Sequence, residues 1–133
     1  MFFTILIDKK GVKKIMAPDK NMGYIMQVIK KLEKNGIFLD HVELVRLCKK
    51  YKVRELSIFG SSIRDDFREE SDIDFLVSYL DEWENTLLDM VRLKDELSVM
   101  VNRKTDLIEK EALQNPVRKK IILSTAEVIY AYN

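Results

Sequence analysis

At 133 residues and 15.7 kDa, the chain has the length for one ordinary domain with a real hydrophobic core and not for a second. A composition that is 47% hydrophobic and 34% charged argues against a disordered chain, and 23 basic against 22 acidic residues, a net charge of +1, against duplex nucleic acid as the main partner. The one cysteine, Cys48, can form no internal disulfide, and no apolar run approaches the ~18 residues of a membrane span, so a reducing, cytoplasmic setting away from the membrane is expected.

Phe2 to Ile7 is an apolar run rich in β-formers, and Asp8-Lys9-Lys10-Gly11 is turn-like before a return strand at Val12 to Met16. Lacking a basic segment before it and a small-residue cleavage site after it, the run does not read as a signal peptide. Pro18-Asp19 breaks the pattern, so residues 1–20 read as a leader that admits a β-hairpin, outside a single domain over 21–133.

From Asn21 to Asn35, Tyr24, Ile25, Val28, Ile29 and Leu32 recur at helical spacing, and Asn35-Gly36 supplies a stop. Asp40 followed by Glu43 resembles a capping box for a second helix running to about Lys52. His41 reads as a surface or capping residue and Cys48 as a small buried hydrophobe, because nothing else supplies His or Cys at metal-binding spacing. Val53 to Phe59 is the next strand, and it delivers the chain to Gly60-Ser61 and a short helix. Asp72 to Val77 is a strand in which Ile73, Phe75 and Val77 alternate with Asp72 and Asp74, burying one face and presenting two carboxylates on the other. The longest helix is expected from about Asp81 to Val101, with Leu87, Leu88, Val91 and Leu97 on its packed face and Trp83 in packing. Lys104 to Ile108 is a short strand carrying Asp106. Asn115-Pro116 opens a last helix packed through Ile121, Ile122 and Leu123, and Val128 to Tyr130 closes the chain as a strand.

Two features in this pattern carry chemistry. A Gly-Ser turn lets backbone N–H groups approach phosphate oxygens closely, and an Asp-x-Asp on a strand aims both carboxylates to one side, where a pair of Mg²⁺ ions finds hard oxygen ligands. Taken singly, Gly-Ser is an ordinary turn and Asp-x-Asp a solvated strand edge. Together, with ten residues between Ser61 and Asp72 and with Asp106 in a strand about thirty residues on, they point to a metal-nucleotide site.

This set resembles the DNA polymerase β-type nucleotidyltransferase superfamily and, within it, the minimal nucleotidyltransferase group. The stretch G-S-x-A-R-G-x-x-R-x-x-S-D-I-D-L-L-V of that group is matched at Gly60, Ser61, Arg64, Arg68, Ser71, Asp72, Ile73, Asp74 and Val77, and Thr105-Asp106-Leu107-Ile108 resembles its later strand. The likeness runs from about Leu39 to the C-terminus. Ile63 replaces the usual alanine, and Asp65 stands at the usual glycine, where its tolerance for left-handed backbone is the expected accommodation and its charge an addition near the phosphates.

The resemblance implies an α/β (α+β) nucleotidyltransferase fold, a mixed β-sheet flanked by helices. It implies Asp72, Asp74 and Asp106 as catalytic residues and as ligands of two Mg²⁺ ions, with Gly60, Ser61, Arg64 and Arg68 binding the phosphates of ATP. Ser71 reads as a residue that orients the second strand. Minimal proteins of this kind resemble antitoxins that silence a HEPN-type RNase toxin by transferring AMP from ATP to a toxin tyrosine. That is the expected function. Transfer to a small-molecule hydroxyl, and neutralisation of a partner by contact alone, are the alternatives. Apolar faces in the first helix and the leader point to association with a partner or with a second copy of the chain.

Overall fold

The computed structural model describes residues 4–7, 13–16, 22–80 and 85–132. Strands β1 (Thr4–Ile7) and β2 (Lys13–Met16) pair antiparallel as a separate two-stranded sheet, with Ile5 opposite Ile15. Their connecting turn lies outside the described residues.

The main body follows from amphipathic segments that bury their apolar sides on one sheet. Helix α1 (Met22–Lys34) buries Ile25, Val28, Ile29 and Leu32, a 3–4 spacing that makes one continuous stripe. Helix α2 (His41–Lys50) starts where Asp40 accepts from the Val42 and Glu43 N–H groups. Glu43, in the first turn, also accepts from the Arg46 Nε at 2.9 Å. Burial pushes the Cys48 thiol up, as for an inert core residue.

Strands β3 (Val53–Phe59), β4 (Ile73–Tyr79), β5 (Thr105–Glu109) and β6 (Glu127–Ala131) form a mixed sheet in the order β5-β4-β3-β6. Only the β4–β5 pair is parallel. Helices α1, α2 and α3 (Leu87–Val101) pack on the face that carries Leu56, Ile58, Ile73, Phe75, Val77 and Ile129. Helix α4 (Pro116–Thr125) lies on the opposite face, where Ile122 and Leu113 meet Leu76, Phe59 and Ile108. Strand β4 is therefore buried on both faces along most of its length, and the alternation expected from the sequence survives only at its start, where Asp72 is exposed and Asp74 half-buried.

Three expectations are corrected. Helix α3 begins at Leu87, not near Asp81, because Thr86 and Asp89 form a reciprocal capping box that fixes the start. Its buried face is Leu93, Leu97 and Val101, while Leu87 is 79% exposed and Leu88 and Val91 are also exposed. A hydroxyl pair, Ser98 to Thr105 at 2.5 Å, together with Thr105 donating to the Lys94 carbonyl, rotates that second stripe onto β5. In α4, Asn115 caps the Val117 and Arg118 N–H groups with Pro116 first in the helix, as the sequence implies. Of Ile121, Ile122 and Leu123 only Ile122 is buried, since neighbours on a helix point about 100° apart and one at a time can face the sheet. Trp83 lies outside the described residues. Among those described, no helix is long and apolar enough to cross a membrane.

Candidate active site

The strand register builds the site. Parallel pairing sets Asp74 directly opposite Asp106, and on its other side Asp74 is opposite Phe59, the residue before Gly60. Because side chains alternate along a strand, Asp72 shares the face of Asp74, so three carboxylates rise from one edge of one sheet face. The same register brings the Gly-Ser turn to them. The 3-10 turn Gly60–Ile63 starts with Gly60 at φ +80, and a Cβ on Gly60 would lie 2.6 Å from Asp74 Oδ2. Glycine is needed here twice over, for the left-handed backbone and for the carboxylate seated against its Cα.

The electrostatics follow from this crowding. Burial raises the Asp74 pKa above the ordinary carboxylate value, the charges of Asp106 and Asp72 raise it further, and Arg64 offsets part of the effect. Three acids with one nearby cation leave net negative charge on an oxygen-only donor set, which fits a hard divalent cation such as Mg²⁺. The side chains as they stand are not gathered into a cage: among the described residues no three carboxylate, imidazole or thiol groups lie ready to ring one ion. Asp106 instead accepts from the Leu107 N–H at 3.0 Å, a local bond that takes up Oδ1.

The loop between turn and strand is held from outside the motif. The Asn35 amide, at the end of α1, donates to the Ser62 carbonyl at 2.7 Å and to the Arg64 carbonyl at 3.1 Å, fixing the backbone of the Gly-Ser turn. Arg103 donates to the Glu69 carbonyl and lies 4.6 Å from the centre of the Phe67 ring, clamping the loop to the turn between α3 and β5. Ser71 closes a turn with Arg68, donating its N–H to the Arg68 carbonyl at 3.0 Å and accepting from the Arg68 N–H at 3.4 Å, just before β4. Neither Asn35, which reads as a helix stop, nor Arg103, which reads as a turn, announces this in the sequence, because each bond spans about thirty residues. Asn35→Ala is expected to cost about 1–2 kcal/mol of stability and to raise the KM for nucleotide several-fold, measured by chemical denaturation and steady-state kinetics.

Arg64 lies at the acids, as its effect on Asp74 requires, with its Nε on Asp66 at 3.0 Å. It borders two clefts, one toward α1 with Lys31, Lys34 and Asp65, the other toward α4 with Gly60 and Arg118. Arg118 is a cation at the site that no motif marks. Arg68 is exposed, lines neither cleft and forms no ion pair with Glu69 or Glu70. Asp65 is not among the residues of positive φ, so the chain avoids the left-handed turn instead of tolerating it, and Asp65 lines the lysine-bearing cleft.

A family model described as polymerase beta nucleotidyltransferase matches residues 42–133. Among known sequences, MJ0126 of Methanocaldococcus jannaschii, named as a proposed protein adenylyltransferase, is 35% identical over 103 residues, covering 77% of this chain and 92% of its own. Protein adenylyltransferase MntA of Thermococcus cleftensis is 31% identical, over 74% of this chain and 92% of its own. A solved structure described as a minimal nucleotidyltransferase superposes with a TM-score of 0.54 at 26% identity, covering 77% of this chain and 92% of that one. A toxin-antitoxin structure with AMP-PNP reaches a TM-score of 0.56 at 18% identity, over 71% of this chain and 76% of that one, a likeness of fold. The chain is an enzyme that belongs to the polymerase beta nucleotidyltransferase family.

Proposed function

We propose that this chain transfers AMP from ATP to a tyrosine hydroxyl of a HEPN-type RNase toxin, and that this modification makes it the antitoxin of the pair. The observation that carries the reading is the register that sets Asp106 beside Asp74, with Asp72 on the same face and the Gly60 turn against them. Support comes from relatives named as protein adenylyltransferases. It comes also from a fold neighbour in which a tri-AMPylated Shewanella oneidensis HEPN toxin is held by a minimal nucleotidyltransferase antitoxin, at a TM-score of 0.50 and 17% identity, over 76% of this chain and 73% of that one.

In the proposed reaction the acceptor oxygen attacks the α-phosphorus, a new O–P bond forms as the bond to the bridging oxygen breaks, and pyrophosphate leaves. Asp106 takes the hydroxyl proton, on the Oδ2 that its backbone bond leaves available. Asp72, Asp74 and Asp106 are the residues that would hold Mg²⁺. Once bound, Mg²⁺ would neutralise charge on the triphosphate and the leaving group and acidify the acceptor hydroxyl. The N–H groups of the Gly60-Ser61 turn and the Ser61 hydroxyl grip the β- and γ-phosphates, and Arg64 offsets their charge. Arg68, which lines neither cleft, is left out of the set.

The test is mass spectrometry of a cognate HEPN protein after incubation with the chain, ATP and Mg²⁺. One or more AMP additions on tyrosine are expected, and an unmodified toxin with an active, folded chain would sink the reading. The double variant Asp72→Asn, Asp74→Asn should bind the toxin and leave it active. Full neutralisation by that variant would make contact, not chemistry, the function.

A further inference from the structure

The α4 side of the active site has a cleft that the acid triad and the Gly-Ser turn do not account for. It encloses about 430 Å³ between Gly60 and Arg64 on one side and Val117, Arg118, Ile121 and Thr125 on the other. Val117 is 68% and Ile121 59% exposed, on a helix whose inward residue, Ile122, is already buried in the sheet. Arg118 forms no ion pair with any described residue, whereas Arg64 is shared with Asp66. The cleft thus joins an apolar wall to two guanidinium groups, and its inner end is the glycine that touches the Asp74 carboxylate.

That combination selects an occupant. A group whose phosphate sits at the acids must continue away from them in two directions, one along the phosphate chain and one through the ribose to the base. The phosphate chain belongs to the Gly60-Ser61 turn. Of the clefts that adjoin the acids and the turn, the one beside Asp72 is lined by Glu69 and Glu70 and the one toward α1 by Asp65, whereas the one along α4 has an apolar wall and no carboxylate in its lining to repel a phosphate. A planar base is matched by the Val117 and Ile121 surface, and the phosphate nearest it by Arg118. A volume of this size with an apolar wall and a few placed polar groups suits a small ligand better than a polypeptide segment, and two guanidinium groups with no carboxylate in the lining suit an anionic one.

We propose that α4 is the nucleoside-binding wall of the enzyme, with Val117 and Ile121 against the base and Arg118 on the α- or β-phosphate of the nucleoside triphosphate. This assignment rests on the nucleotidyl-transfer reading, and it adds the residues that hold the nucleoside rather than the phosphate tail. It makes Arg118 and Ile121 binding residues that differ in what they recognise.

Isothermal titration of the full chain with ATP and Mg²⁺, and separately with inorganic tripolyphosphate and Mg²⁺, separates the two. Arg118→Ala should weaken both ligands about tenfold. Ile121→Ser should weaken ATP about fivefold and leave tripolyphosphate unchanged. Both side chains are exposed, so the melting temperatures should stay at the wild-type value, and circular dichroism verifies that each variant is folded. If folded variants bind ATP as the wild type does, the proposal is overturned while AMP transfer by the wild type stands. If they keep ATP but lose the toxin partner, α4 is a protein-docking face and the proposal is likewise overturned. Wild-type protein that binds no ATP at all would overturn this proposal together with the proposed function.

Discussion

Replacing Gly60 by alanine should lower nucleotidyl transfer about 100-fold or more while leaving the protein folded. The two effects separate because the added methyl has only one close neighbour, the end of the Asp74 side chain, with Oδ2 at 2.6 Å and the rest of that residue at 3.6 Å or beyond. A carboxylate can swing aside by rotating about its own bonds, so the core is not disturbed. The stability cost is then set mainly by the backbone, since alanine at φ +80 is held in the left-handed region at about 1–2 kcal/mol. The swing is costly for chemistry, where a displacement of about 1 Å at a reacting centre is worth roughly two orders of magnitude in rate. A small drop in melting temperature beside a large loss of kcat is the expected pair. A variant that keeps its activity would mean that Asp74 need not stay against the turn.

Asp74→Asn should abolish transfer, by about a thousandfold or more for the loss of one metal-facing carboxylate, and yet stabilise the metal-free protein. The stabilisation has a definite sign. Burial and the neighbouring charges of Asp106 and Asp72 raise the folded-state pKa of Asp74 above its unfolded value. Over the interval between those two values the folded state binds more protons than the unfolded one, so metal-free stability falls as pH rises through it and stays reduced at neutral pH. An amide carries no charge to repel the other acids and removes that loss. Melting curves in EDTA at neutral pH should therefore place Asp74→Asn above the wild type. Added Mg²⁺ should raise the wild type and leave the variant nearly unmoved, because a cation that binds only the folded triad stabilises by mass action. A wild-type melting curve insensitive to Mg²⁺ would count against a metal at these residues.

The elements and the site residues were legible to different depths. Strand β3, the Asn115-Pro116 start of α4 and the place of the acids at the head of β4 are local matters of alternation, capping and turn chemistry, and a single stretch of chain decides them. Helix α3 shows where that ends. Its sequence offers two apolar stripes, Leu87-Leu88-Val91 and Leu93-Leu97-Val101, and hydrophobicity alone does not rank them; the hydroxyl pair between Ser98 and Thr105 does. Asp65 is similar, since the usual glycine at its position suggested left-handed backbone and the chain instead takes another path.

By itself the sequence determined which groups are available, namely a Gly-Ser turn, two acids two residues apart and a third about thirty residues on, because residue type and short spacing settle local geometry and chemistry. Only the tertiary structure decided that they meet. Parallel pairing of β4 with β5 sets Asp106 beside Asp74, the β3 register presses Gly60 against the same carboxylate, and Asn35, Arg103 and Arg118 arrive from other elements. Such contacts arise from strand pairing and helix packing between distant segments, which depend on the whole core closing at once and leave no mark in any one stretch of the chain.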